Sequence, residues 1–108
     1  MKIVFFGTPE FAIPSLQILM NSSHSVEAVV TAPDKERGRG KKLSYTPVKQ
    51  FAVDNDIKVL QPDKLKDENF IRAIRGDLFV VVAYRILPPE VYSLPPKGAF
   101  NLHGSLLP

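Results

Sequence analysis

The chain has 108 residues, 44% of them hydrophobic and 23% charged, with a formal net charge of +3. That composition belongs to a folded domain and excludes a disordered tail, while the length allows one domain with a thin core. The absence of cysteine excludes disulfides, thiolate catalysis and zinc–thiolate or iron–sulfur sites.

Met1–Phe6 is a short apolar run ending at Gly7, the pattern of a buried parallel strand meeting a turn. Pro9 and Glu10 interrupt it too soon for a signal peptide. From Glu10 to Met20, Phe11, Leu16, Ile18, Leu19 and Met20 recur with polar residues between them, which predicts a helix that tolerates Pro14 in its first turn. Val26–Val30 predicts a second strand. Residues 32–46 have no hydrophobic period, carry the breakers Pro33, Gly38 and Gly40, and predict a long exposed loop.

Pro47 opens a helix to about Asn55, and Lys58–Leu60 predicts a brief strand. Asp67 caps a helix to Arg75, with Gly76 as its stop. Leu78–Val82 is the most strongly β-like run. A proline-rich connection with a short helix near Glu90–Tyr92 leads to a last strand, Ala99–His103. The ten prolines are scattered and form no repeat, and no apolar stretch is long enough to span a bilayer. The expected location is the cytoplasm.

Strands that alternate with helices, and are apolar enough to be covered on both faces, predict an α/β fold with a doubly wound, mostly parallel sheet. Such sheets carry their sites at the carboxyl ends of the strands. Gly7, the loop after Val30, Tyr84–Pro88 and Asn101–Pro108 all fall there.

The first turn, Gly7-Thr8-Pro9-Glu10-Phe11, has only the first glycine of a dinucleotide fingerprint, and Glu10 would repel phosphate. A tight turn accounts for Gly7, and no NAD site is expected. Between Asp34 and Lys42 stand Lys35, Arg37, Arg39, Lys41 and Lys42 against Asp34 and Glu36, which equals the +3 of the whole chain and leaves the remainder neutral. This segment reads either as a solvated surface run or as a glycine-spaced basic arm suited to a phosphate backbone, RNA in particular.

In a strand, Asn101 and His103 share one face about 6.6 Å apart, with Leu102 on the other. An amide that donates to an oxyanion and an imidazole that moves protons suit acyl transfer. The pair also reads as a polar strand end with a structural histidine. Without cysteine, and with Ser105 outside any nucleophile-elbow pattern, direct attack by a substrate amine fits better than an acyl-enzyme. His24 lies in a surface loop, and Asp54 and Asp56 lack the residues of a calcium loop, so no metal is expected.

Together, Gly7–Ala12 (GTPEFA), Thr31–Lys49 (TAPDKERGRGKKLSYTPVK), Gln61-Pro62, Val80–Tyr84 and Asn101–Pro108 (NLHGSLLP) resemble the amino-terminal part of the catalytic domain of the methionyl-tRNA formyltransferase family. The last block is shared with other 10-formyltetrahydrofolate enzymes, while GTPEFA and the GRGKKL loop select the tRNA family. The resemblance implies a Rossmann-like formyltransferase domain that transfers formyl from 10-formyltetrahydrofolate to initiator methionyl-tRNA. It implies catalytic roles for Asn101 and His103 and folate contacts from Ser105, Leu106, Leu107 and Pro108. It also implies a pterin-pocket lining of Arg85, Ile86 and Leu87, and a tRNA-binding loop carrying Arg37, Arg39, Lys41 and Lys42.

The family continues beyond the position of Pro108 through a catalytic aspartate and a carboxy-terminal tRNA-binding domain. Residues 1–108 are therefore expected to form an amino-terminal fragment ending in the active-site loop, monomeric, without membrane contact, and inactive alone. The competing functional class is a formyltransferase for a small amine such as a sugar nucleotide, which would need no basic arm. A folded fragment that binds without catalysing is the third.

Overall fold

The computed structural model describes the chain except residues 38–39, 41, 103–104 and 107–108, and at 37, 105 and 106 it describes the backbone alone. Its centre is β1 (Lys2–Gly7), in which Ile3, Val4, Phe5 and Phe6 are all buried. An uninterrupted apolar run suits a strand covered on both faces, because every side chain finds a core whichever way it points.

The chain winds outward from β1 in two directions. On one side lie β2 (Ser25–Val30) and β5 (Val59–Leu60), and on the other β6 (Leu78–Val82) and β7 (Ala99–Asn101), all parallel. A two-residue strand, β8 (Ser105–Leu106), returns antiparallel to β7. The expected doubly wound, mostly parallel α/β sheet is therefore present, with its topological switch point between β1 and β6.

Alternation along β1 divides the core. Ile3 and Phe5 meet Ala12 and Leu16, on or just before α1 (Ile13–Met20), and Val48 and Ala52 of α2 (Pro47–Asp54). Val4 and Phe6 face the opposite layer, with Phe70 of α3 (Glu68–Ala73) and Val91 of α4 (Pro89–Tyr92). The expected cap of α3 is in place, and α2 has one as well. Thr46 Oγ1 accepts from Lys49 N at 3.0 Å and Asp67 Oδ2 accepts from Phe70 N at 3.0 Å, each satisfying an orphan amide of a first turn. Among the described residues, no helix is long and apolar enough to cross a membrane.

Several local expectations are corrected. The segment predicted as a plain loop contains an antiparallel hairpin, β3 (Lys35–Arg37) paired with β4 (Lys42–Ser44), with Gly40 in its turn at φ +86°. No hydrophobic period marks it because its strands bury no apolar face; Leu43 itself is exposed. The predicted last strand stops at Asn101, and Leu102 turns outward, 44% exposed, with its N–H on the carbonyl of Val81 at 3.0 Å. His103 lies outside the described residues.

The helix predicted to reach Arg75 ends at Ala73, with Ile74 already extended. Gly76 is no left-handed cap. A Cβ there would lie 2.9 Å from Val4 Cγ2, so the position needs glycine for close approach to β1. Gly7 has the same cause, since a Cβ would meet Phe5 Cε2 at 2.8 Å and the carbonyl oxygen of Val82 at 3.0 Å.

Ala83 carries the opposite conflict, a side chain at φ +52° where the left-handed region favours glycine. Two outcomes follow for thermal denaturation. Gly7→Ala is expected to lose about 1–3 kcal/mol by overpacking, which lowers the midpoint by roughly 4–8 °C per kcal/mol in a domain of this size. Ala83→Gly should gain up to about 1 kcal/mol, because the left-handed cost of about 1–2 kcal/mol exceeds the entropy cost of glycine.

Candidate functional site

At the switch point a cleft of about 490 Å³ opens over the carboxyl ends of the strands, lined by Thr8, Ala32, Pro33, Lys35, Asp63, Ala83, Tyr84 and Arg85. Each wall comes from a strand exit. Thr8 follows β1; its hydroxyl accepts from the N–H of Ala32 at 3.3 Å and its carbonyl accepts from Val48 N at 3.4 Å. That turn is therefore sewn to the segment leaving β2 and to the start of α2.

The left-handed turn at Ala83 redirects the chain after β6, and the Tyr84 ring meets Phe6 edge-on at 5.6 Å. Arg85 then reaches across to the exit of β5. Its guanidinium donates to the carbonyls of Asp63 at 2.9 Å and Pro62 at 2.8 Å, and to the Tyr84 hydroxyl at 2.8 Å. A planar fork with several donors can span three acceptors in this way, and a lysine could not. Burial raises the pKa of Tyr84, an effect that the hydrogen bond and charge of Arg85 partly offset. Tyr84 is consequently a neutral hydroxyl across the physiological range.

The basic hairpin is rooted at the same rim. Thr31, the first residue after β2, shares a buried 2.7 Å hydrogen bond with Thr46, the cap of α2. A second contact lies above it, an ion pair of Asp34 with Lys49 at 2.9 Å.

The residues singled out from the sequence divide as follows. Asn101 is half-buried at the end of β7, in register with Val81 and therefore one strand from the switch point. Ser105 and Leu106 form the backbone of β8, opposite Asn101 and Phe100 respectively; His103, Leu107 and Pro108 lie outside the described residues. Arg85 lines the cleft, Ile86 is 91% exposed beside it, and Leu87 is buried in the core with Val91 and Phe79. Lys42 is exposed at the start of β4, paired with Arg37 across the hairpin. Arg39 and Lys41 lie outside the described residues.

Sequence reasoning assigned no role to Thr8, Asp63, Lys49 or Gln61. Thr8, Lys49 and Gln61 fall within the matching stretches Gly7–Ala12, Thr31–Lys49 and Gln61-Pro62, and Asp63 within none. Gln61 stands at the exit of β5, where its amide donates to the carbonyl of Ala32 at 3.1 Å.

The formyl transferase family model matches residues 1–108. The methionyl-tRNA formyltransferase of Acetivibrio thermocellus is 58% identical over 112 residues, covering all of this chain and 36% of that relative. Those of Bacteroides fragilis and Caldanaerobacter subterraneus are 52% and 49% identical, again over the whole chain and 34% and 37% of their own lengths. The chain spans about a third of the length of the curated relatives it matches.

The Tyr84 environment predicts an alkaline signature. Its folded pKa is raised, so its contribution to stability is full below the ordinary tyrosine pKa and is lost as pH rises through the folded value. Ultraviolet titration should show a late-ionising tyrosine component that Tyr84→Phe removes. The variant should also lose less thermal stability than wild type above the ordinary tyrosine range.

Proposed function

The chain belongs to the formyl transferase family, and from that membership we propose that it carries the formyl-transfer centre and the tRNA-facing arm of a methionyl-tRNA formyltransferase. The observation that carries the reading is a juxtaposition. Asn101 closes β7 one strand from the switch-point cleft, and the hairpin holding the chain's net positive excess is rooted on the same rim.

On this reading the amino nitrogen of the methionyl group adds to the formyl carbon of 10-formyltetrahydrofolate, and the carbonyl oxygen takes the negative charge. Asn101 donates its amide hydrogen to that oxygen, a contact stronger in the transition state than in the ground state. His103 takes a proton from the attacking amine and returns it to N10 of the folate as the carbon–nitrogen bond breaks. The products are formylmethionyl-tRNA and tetrahydrofolate. Ser105, Leu106, Leu107 and Pro108 would hold the folate with Arg85, Ile86 and Leu87. Leu87, being buried, would support the pocket from behind and not touch the ligand.

Arg37, Arg39, Lys41 and Lys42 would meet the acceptor end of the tRNA, where cations exchange counterions with phosphates. A small amine would leave this concentration of charge without a partner. On this reading the protein acts in the cytoplasm as a monomer, without a metal.

Kinetics in a chain of the relatives' full length test the reading. Asn101→Ala should lower kcat by about 10²–10³-fold, with the fold intact by circular dichroism. Arg39→Ala should raise KM for methionyl-tRNA, leave folate affinity unchanged, and flatten the slope of log affinity against log salt by about 0.7–0.9. Equal turnover of methionyl-tRNA and a small amine would favour the small-substrate class instead.

A further inference from the structure

We propose that Asp34 is a positioning residue: gripped by Lys49 and Gln61, it sets the pose of the basic hairpin at the rim of the cleft. The functional half of this inference rests on the reading of the hairpin as a tRNA-facing arm.

The hairpin has no packing of its own to orient it. None of its described residues belongs to either core cluster, and Lys35, Glu36, Lys42 and Leu43 are exposed. Its direction is therefore decided by what holds its two legs. Asp34 is the last residue before β3, and Lys49 Nζ lies 3.0 Å and 2.9 Å from its two carboxylate oxygens. The Gln61 amide donates to Asp34 Oδ1 at 2.8 Å while it also holds the carbonyl of Ala32. Tyr45 is the first residue after β4, and the same ammonium sits 3.9 Å from the centroid of its ring.

One cation thus fastens both legs, the incoming one through a charge-assisted hydrogen bond and the outgoing one through a cation–π contact. The pair is partly sheltered, with side-chain exposures of 14% for Lys49 and 26% for Asp34, so salt screens it less than a surface pair. The anchors belong to α2 and to the exit of β5, which are fixed in the sheet and its helical layer. Thr31 and Thr46 close the base beneath, and Thr8 and Gln61 hold Ala32, which leaves Asp34 as the last anchored side chain before β3.

Amide hydrogen exchange on the chain, with variants Lys49→Met, Asp34→Asn and Gln61→Met, tests the clamp. Lys49→Met should speed exchange of the amides in 35–37 and 42–44 by about tenfold or more, the loss of a hydrogen bond to a charged group. Amides of β1 and β6 should change by less than about twofold. Lys49→Arg should restore most of the protection, and the two milder variants should fall between. In a chain of the relatives' full length, with transcribed methionyl-tRNA as the probe, Lys49→Met should raise KM several-fold and leave kcat near wild type.

Unchanged hairpin exchange in all variants overturns the proposal. So does acceleration shared equally with β1 and β6, which would make the residues general stabilisers, or a loosened hairpin with unchanged KM. If the wild-type protein shows no dependence on hairpin charge at all, the tRNA reading itself fails, and the exchange data still decide whether Asp34 sets the pose.

Discussion

The carboxyl rim depends on the placement of β1, and hydrophobicity alone does not fix that placement. A strand with one wet face has its register enforced by polarity, because a slip of one residue would bury the wrong side chains. In β1 all four residues from Ile3 to Phe6 are buried, so either facing would satisfy the hydrophobic effect. Steric fit makes the choice. At one end Gly7 leaves room for Phe5 and the carbonyl of Val82, and at the other Gly76 leaves room for Val4. Two positions with no side chain, each pressed against the central ladder, hold the strand in one register between β2 and β6. The switch point, the turn at Thr8 and the position of Asn101 all inherit that register.

How much was legible beforehand follows from the range of the forces involved. The long elements announce themselves locally, through apolar runs such as Leu78–Val82, the helix-opening Pro47 and the cap Asp67. That Asn101 stands at a strand end was legible from the apolar Ala99-Phe100 before it. The hairpin was not, since two short strands without a buried face leave no periodicity to find. The roles of Asp34, Lys49 and Gln61 were equally invisible. Asp34 meets Lys49 across 15 positions and Gln61 across 27, and counted by composition it was simply one of two acids diluting a basic run.

That pairing has an electrostatic sequel. The carboxylate of Asp34 is paired with the Lys49 ammonium of α2, which stands outside the run of five basic residues between Lys35 and Lys42. Only Glu36 opposes them locally. With that pair neutral, residues 35–42 hold +4 and the remainder −1, a local positive field that would steer an anionic partner. Steering of this kind acts on the rate of encounter before any specific contact forms.

The buried bond between Thr31 and Thr46 separates the hairpin from the cost of folding the sheet. It closes the excursion at a fixed span, with both hydroxyls satisfied and the cap of α2 already supplied, so β2 and α2 are joined whatever lies between. Closure entropy grows only as the logarithm of loop length, and each doubling adds about 0.6 kcal/mol. By that scaling, a change in the number of residues between Lys35 and Ser44 would cost the domain below little. On the proposed reading, chemistry stays on the rigid strands, and partner choice belongs to a part whose length is free to vary.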